Sequence, residues 1–179
     1  MMLQIDHRES RDVDIFLQDA QQLPFLDPQK RDFEFEIRPA AYEGDGTRVL
    51  KLVFDGIGEI DFIVAHTLTS SPTTPTFVEG EAVLLETIPE IITKMIYHRG
   101  SSITPRDIFD VAAAGEQHKD SIIKELRRYR DQVAQTLTAI DKLNVNFVND
   151  TIAQLAIKDR YKLLAATAIE RSKGIFRAV

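Results

Sequence analysis

One change of texture constrains this chain more than any other feature. Apolar and polar residues alternate in short runs up to Leu85, and from Thr87 onward apolar residues recur at three- and four-residue intervals. Alternation is the period of a strand with one wet face, and the wider spacing is that of an amphipathic helix. The pattern predicts an α+β chain with a strand-rich part over 1–86 and a helical part over 87–179. A length of 179 residues suits one well-buried domain or two small ones.

The stretch richest in chemistry begins at Asp12. In a strand, Val13, Ile15 and Leu17 face a core while Asp12 and Asp14 share the opposite face. Two carboxylates so placed raise each other's pKa, so a pair kept ionised at neutral pH wants a cation between them. Mg²⁺ (or Mn²⁺) fits, because such ions take a few carboxylates and complete their shell with water and phosphate oxygens. The same spacing also fits a plain edge strand or a solvated turn.

Around this stretch, Met1–Ile5 reads as the tail of an apolar helix or strand with nothing to cap it. Residues 19–22 suit a short helical turn that Leu23–Pro28 breaks. Alternation predicts a strand over 32–38, with Phe33, Phe35 and Ile37 on one face, then a turn over 42–46. Strands over 48–54 and 59–65 flank Asp55-Gly56-Ile57-Gly58, which suits a hairpin loop. In the second of these, Asp61 points away from Ile60, Phe62 and Val64. Beside the first strand it would be a third carboxylate at the same ion, and an exposed strand aspartate accounts for it equally. Residues 67–76 read as a loop and 77–85 as an edge strand or ribbon.

Thr87-Ile88-Pro89-Glu90 is a helix start, and the stripe Ile88, Ile91, Ile92, Met95, Ile96 leaves Lys94 off the buried face, a surface lysine by the plain account. Gly100 stops this helix. Thr104-Pro105-Arg106-Asp107 repeats the signal, so Asp107 can serve as a cap, a duty that Asp110 lacks. A long amphipathic helix is expected over 117–143, an interruption over 144–149, and shorter helices over 150–157 and 159–171.

Cysteine is absent and four histidines are scattered, which removes disulfides, thiolate zinc sites and cysteine nucleophiles. No apolar run reaches membrane-spanning length and no signal-peptide pattern opens the chain, so a cytoplasmic location is expected. Residues 1–90 carry 18 acidic and 7 basic side chains, a net of −11, while 91–179 carry 10 and 15, a net of +5. An acidic half able to hold metal thus precedes a basic half able to hold a polyanion, although two solvated surfaces of opposite sign give the same figures.

Three stretches, taken in order, resemble one family. They are His7-Arg8-Glu9-Ser10-Arg11-Asp12-Val13-Asp14-Ile15-Phe16, Glu86-Thr87-Ile88-Pro89-Glu90-Ile91-Ile92-Thr93-Lys94-Met95, and Pro105-Arg106-Asp107-Ile108-Phe109-Asp110. Their order and spacing resemble the AbiEii/AbiGii-type nucleotidyltransferase toxins of abortive infection and toxin–antitoxin systems, members of the DNA polymerase β-like superfamily. The resemblance covers residues 7–112, and beyond it only the helical character agrees.

It implies a truncated polymerase β-like mixed sheet followed by a helical bundle, and transfer of a nucleotide from an NTP to an acceptor. Asp12, Asp14 and Asp61 would hold Mg²⁺, with Asp61 helping to activate the acceptor hydroxyl. Lys94 would reach the phosphates and Asp110 would join the catalytic set. Arg8, Ser10, Lys94, Arg106 and Asp107 would meet the nucleotide. tRNA is one acceptor the family suggests, held by the basic helices, and an antitoxin protein is an implied partner. The family's Gly-Gly-Thr/Ser motif, which binds the triphosphate from a helix before the first strand, should fall a few residues before Met1. Its absence leaves two expectations: a reading frame begun at an internal methionine, or a shortened protein of poor activity. The alternatives to the enzyme are a catalytically impaired remnant acting through protein contacts and, more weakly, a Mg²⁺-dependent phosphohydrolase.

Overall fold

A computed structural model describes all residues, 1–179. In chain order the elements are α1 (Met2–Ile5), β1 (Val13–Leu17), α2 (Leu23–Leu26), β2 (Ala41–Gly44), β3 (Val49–Phe54), β4 (Gly58–Val64), β5 (Thr73–Val78) and β6 (Glu81–Glu86). Then follow α3 (Ile88–Arg99), α4 (Pro105–Leu126), α5 (Arg130–Lys142), α6 (Val145–Ala153), α7 (Lys162–Ala165) and α8 (Ala168–Phe176). The α+β class expected from the two textures is what the chain adopts. Contacts divide it at a different point from the texture change: Ser10–Thr67 forms one compact unit, and Met1–Glu9 with Leu68–Val179 forms the other.

The Ser10–Thr67 unit is a four-stranded sheet in the order β1-β4-β3-β2, with β1 parallel to β4 and the other pairs antiparallel. Its core lies on one face, where Leu50 and Leu52 are buried with Leu23, flanked by Leu17, Leu26, Tyr42, Phe54, Ile60, Phe62 and Val64. The alternation of β4 thus points Ile60, Phe62 and Val64 inward as expected. Val13 and Ile15 do not follow, being 53% and 37% exposed. They sit on an edge strand, of which only Leu17 packs against the core cluster.

Three local expectations change. Residues 32–38 form no strand, and Phe33 and Ile37 are exposed, because the pairing edge of β3 is taken by β2 and the segment has no partner for its backbone. The turn expected at 42–46 is largely β2, with Tyr42 opposite Leu52. The reversal comes at Asp45, whose Oδ1 accepts from the Thr47, Arg48 and Val49 amides at 2.9, 2.6 and 3.0 Å. Those amides hold its carboxyl down to about 2. Leu23–Leu26 is a helical turn rather than a break, since proline is tolerated in a first turn.

The other unit is built on α4. Thr104 and Asp107 make a full capping box at its start, and Ile108, Phe109, Val111, Ala113 and Ala114 have no more than 1% exposure. Gly115 lets α8 approach closely, as a Cβ there would lie 2.4 Å from Ile175 Cδ1. The single long helix expected over 117–143 is two: α4 runs through Gly115 to Leu126, and a turn at 127–129 lets α5 bury Val133, Thr136 and Ile140. Asn144 starts α6 instead of interrupting a helix, its Oδ1 accepting from the Phe147 amide at 3.1 Å. The segments expected over 150–157 and 159–171 are replaced by α6, α7 and α8. Over 73–86 the chain makes a two-stranded ribbon, β5 against β6, which begins inside the stretch expected to be loop.

The first nine residues belong to this unit because they are bonded into it. Glu9 donates its amide to Ala156 O and Lys158 to His7 O, each at 3.0 Å, and Tyr161 donates its hydroxyl to Ile5 O at 3.2 Å. Ile5 is 1% exposed.

Candidate metal and nucleotide residues

In the Ser10–Thr67 unit the face away from the core carries the acids. The parallel register sets Asp14 beside Asp61, and paired residues of neighbouring strands share a face. Asp12 sits one residue before β1, exposed, and Ser10 opens the unit half-buried. The register is fixed by a close approach: a Cβ on Gly58 would lie 2.0 Å from Arg11 O, and Arg11 Nη1 donates to Gly56 O at 3.2 Å.

Two residues missed in the sequence complete this face. Lys51 of β3 lies opposite Asp61, and Glu59 precedes Asp61 by two on the same side of β4. The Lys51 ammonium donates to Glu59 Oε2 and lies 3.5 Å from Asp61 Oδ2. Asp61 Oδ1 is buried and takes no hydrogen bond. Burial pushes the Asp61 carboxyl above its ordinary value; Lys51 pulls it back, and the charges of Asp14 and Glu59 add to the rise. The bond to Glu59 lifts Lys51 above its ordinary value against the effect of burial, with help from the charge of Asp61.

Asp14 and Asp61 suit an ion that takes one or two protein carboxylates and keeps water and phosphate for the rest. Asp61 Oδ1 is an acceptor with no protein donor spent on it. No group of three or more His, Cys, Asp or Glu side chains comes together to hold a metal. Asp12, Asp14 and Asp61 are therefore not gathered into a ready three-carboxylate cage.

The remaining residues picked from the sequence lie in the helical unit and are engaged there. Arg8 donates through Nε and Nη2 to the two Asp110 oxygens, both at 2.7 Å, and His7 Nε2 donates to Oδ1 at 2.8 Å. Nε2 is the donor because a carboxylate can only accept. Burial alone would push Asp110 up, but the hydrogen bonds from Arg8 and His7 outweigh it and hold its carboxyl below the ordinary value. The His7 ring lies 6.0 Å from Phe109, stacked, and 6.3 Å from Tyr161, edge on.

Lys94 is buried, contrary to the surface position its helical phase suggests. Its Nζ donates to Glu86 Oε1 at 2.5 Å and lies 3.7 Å from Glu90 Oε1. Buried Glu90 and half-buried Glu86 explain this, since ionised groups out of water must be paired. The i, i+4 spacing of Glu90 and Lys94 is the signal that could have shown it. Glu90, fully buried, also accepts from the amides of Leu68 and Thr69 at 2.9 and 2.8 Å and from Thr69 Oγ1 at 2.6 Å.

Asp107 is spent on the cap, accepting from Thr104 N and Oγ1 at 3.0 and 2.8 Å, and from Arg99 Nη2 at 2.6 Å. Arg106 is exposed, as are Lys124, Arg127, Arg128 and Arg130 around the α4–α5 turn. No helix is long and apolar enough to cross a membrane. Comparisons of this chain with protein-family models, with curated proteins and with solved structures find no match.

Proposed function

We propose that this chain is a metal-dependent nucleotidyltransferase of the toxin type, with a polymerase β-like sheet, acting on an NTP and a hydroxyl acceptor such as tRNA. The observation that carries the reading is the register that sets Asp14 beside Asp61 on one sheet face. In the reaction an acceptor oxygen attacks the α-phosphorus, the bond to the bridging oxygen breaks, and pyrophosphate leaves. Asp61, whose Oδ1 has no protein donor, is the candidate to help activate the acceptor hydroxyl. Mg²⁺ bound by Asp14 and Asp61 would offset the charge of the triphosphate. Asp12 precedes β1 directly, and Ser10, in the same unit, is the candidate for a phosphate contact. Lys94, Asp107, Asp110 and Arg8 support the helical unit through their ion pairs and caps. The exposed basic residues at 124–130 suit an RNA backbone.

The test is calorimetry of NTP binding with Mg²⁺, followed by incubation with labelled NTP and tRNA. Asp14→Ala and Asp61→Ala should each abolish Mg²⁺-dependent binding and label transfer. NTP affinity unchanged in both rejects the reading.

A second reading, a catalytically impaired protein acting through a protein partner such as an antitoxin, is favoured by the β5–β6 ribbon. Its Phe77 and Leu84 are 77% and 70% exposed. Here Phe77→Ser with Leu84→Ser would remove the cellular effect while Asp14→Ala leaves it intact.

A further inference from the structure

We infer that Lys51 is a built-in counter-ion of the acidic face, held on Glu59, whose charge beside Asp61 opposes a divalent cation at Asp14 and Asp61. The inference rests on the metal reading above and adds to it two residues that the resemblance does not contain.

Asp61 stands between two neighbours of opposite sign. The β1–β4 register places the Asp14 carboxylate on one side, and the β3–β4 register places the Lys51 ammonium on the other. Lys51 divides its contacts unequally: it is hydrogen-bonded to Glu59, while Asp61 Oδ2 is 3.5 Å away. It reaches only that oxygen, and Asp61 Oδ1 stays buried without a donor. The lysine therefore neutralises Asp61 without filling its coordination.

A divalent cation drawing on Asp14 and Asp61 would share the Asp61 carboxylate with the ammonium, and two cations beside one carboxylate repel. The two claims on Asp61 thus oppose each other. A lysine stem is flexible and its charge compact, so the ammonium can leave Asp61 while keeping Glu59. Glu59 is the receiving anchor.

Mn²⁺ titrated into the full chain tests this, by calorimetry and by loss of the free-ion paramagnetic resonance signal. Lys51→Met should tighten Mn²⁺ binding by about tenfold or more, as expected when a like charge beside the shared carboxylate is removed. Glu59→Gln should weaken it severalfold, because the lysine then has only Asp61 to hold. Lys51→Arg, which keeps the charge, should stay close to the wild type. Thermal melting in chelator shows whether each variant is folded. Binding by Lys51→Met that is no tighter than wild type overturns the inference and leaves the metal reading standing. If Lys51→Met fails to fold, unchanged affinity in Glu59→Gln overturns it instead. No Mn²⁺ binding by the wild type or by folded Lys51→Met overturns both. Binding by Lys51→Met alone supports both.

Discussion

Arg8 clasps Asp110 through two parallel hydrogen bonds of 2.7 Å, joining the amino-terminal segment to the second turn of α4 across 102 residues of sequence. His7 adds a third bond to the same carboxylate. Asp110→Ala leaves a guanidinium buried without its partner, and breaking a buried pair in this way costs about 3–5 kcal/mol. Urea denaturation should show that loss, and the double variant Arg8→Met, Asp110→Leu should recover most of it. A loss below about 1 kcal/mol in the single variant would show that the pair does not hold the segment.

The same carboxyl makes stability depend on acid. Asp110 is held below its ordinary value in the folded chain, so the unfolded chain binds its proton first as pH falls. The stabilisation is complete above the ordinary aspartate range near pH 4 and is lost as pH falls through the depressed folded value. Urea midpoints measured from pH 6 downward should fall more steeply for the wild type than for Asp110→Asn. Parallel curves would contradict the assignment.

Glu90 ties down the segment that follows the sheet unit. Its carboxylate accepts from both Leu68 and Thr69 amides, so Glu90→Gln removes charge-assisted bonds and leaves Lys94 with one fewer acid. Hydrogen exchange at those two amides should accelerate, with a stability loss of about 1–3 kcal/mol. Unchanged exchange would place their protection elsewhere.

Gly58 governs the acid register. A methyl group there would collide with Arg11 O, so Gly58→Ala should push β1 away from β4 and cost about 1–3 kcal/mol. Because Asp14 and Asp61 are held together by that pairing, Mn²⁺ binding should weaken along with the fold. Retained binding at full affinity would mean the pairing is not what assembles the acids.

The sequence by itself determined the local periods. Alternation placed β1, β3 and β4 and the inward set Ile60, Phe62 and Val64, and the threonine–proline signals placed the starts of α3 and α4, since caps and periodicity are short-range physics. It also singled out Asp14 and Asp61, whose side of each strand follows from counting by two.

Tertiary structure decided the pairing of strands and the fate of charge. No local signal says that β1 runs parallel to β4, or that residues 32–38 lose their pairing edge to β2. That choice is made between whole sheets competing for the same backbone donors and acceptors. Lys51 could be set opposite Asp61 only once the hairpin closed Phe54 against Gly58. Lys94, Asp107 and Asp110 look alike in sequence as candidate site residues. Burial decides their roles, because a charge taken out of water must find its partner, and Glu86, Arg99 and Arg8 reach those positions only through the folded chain.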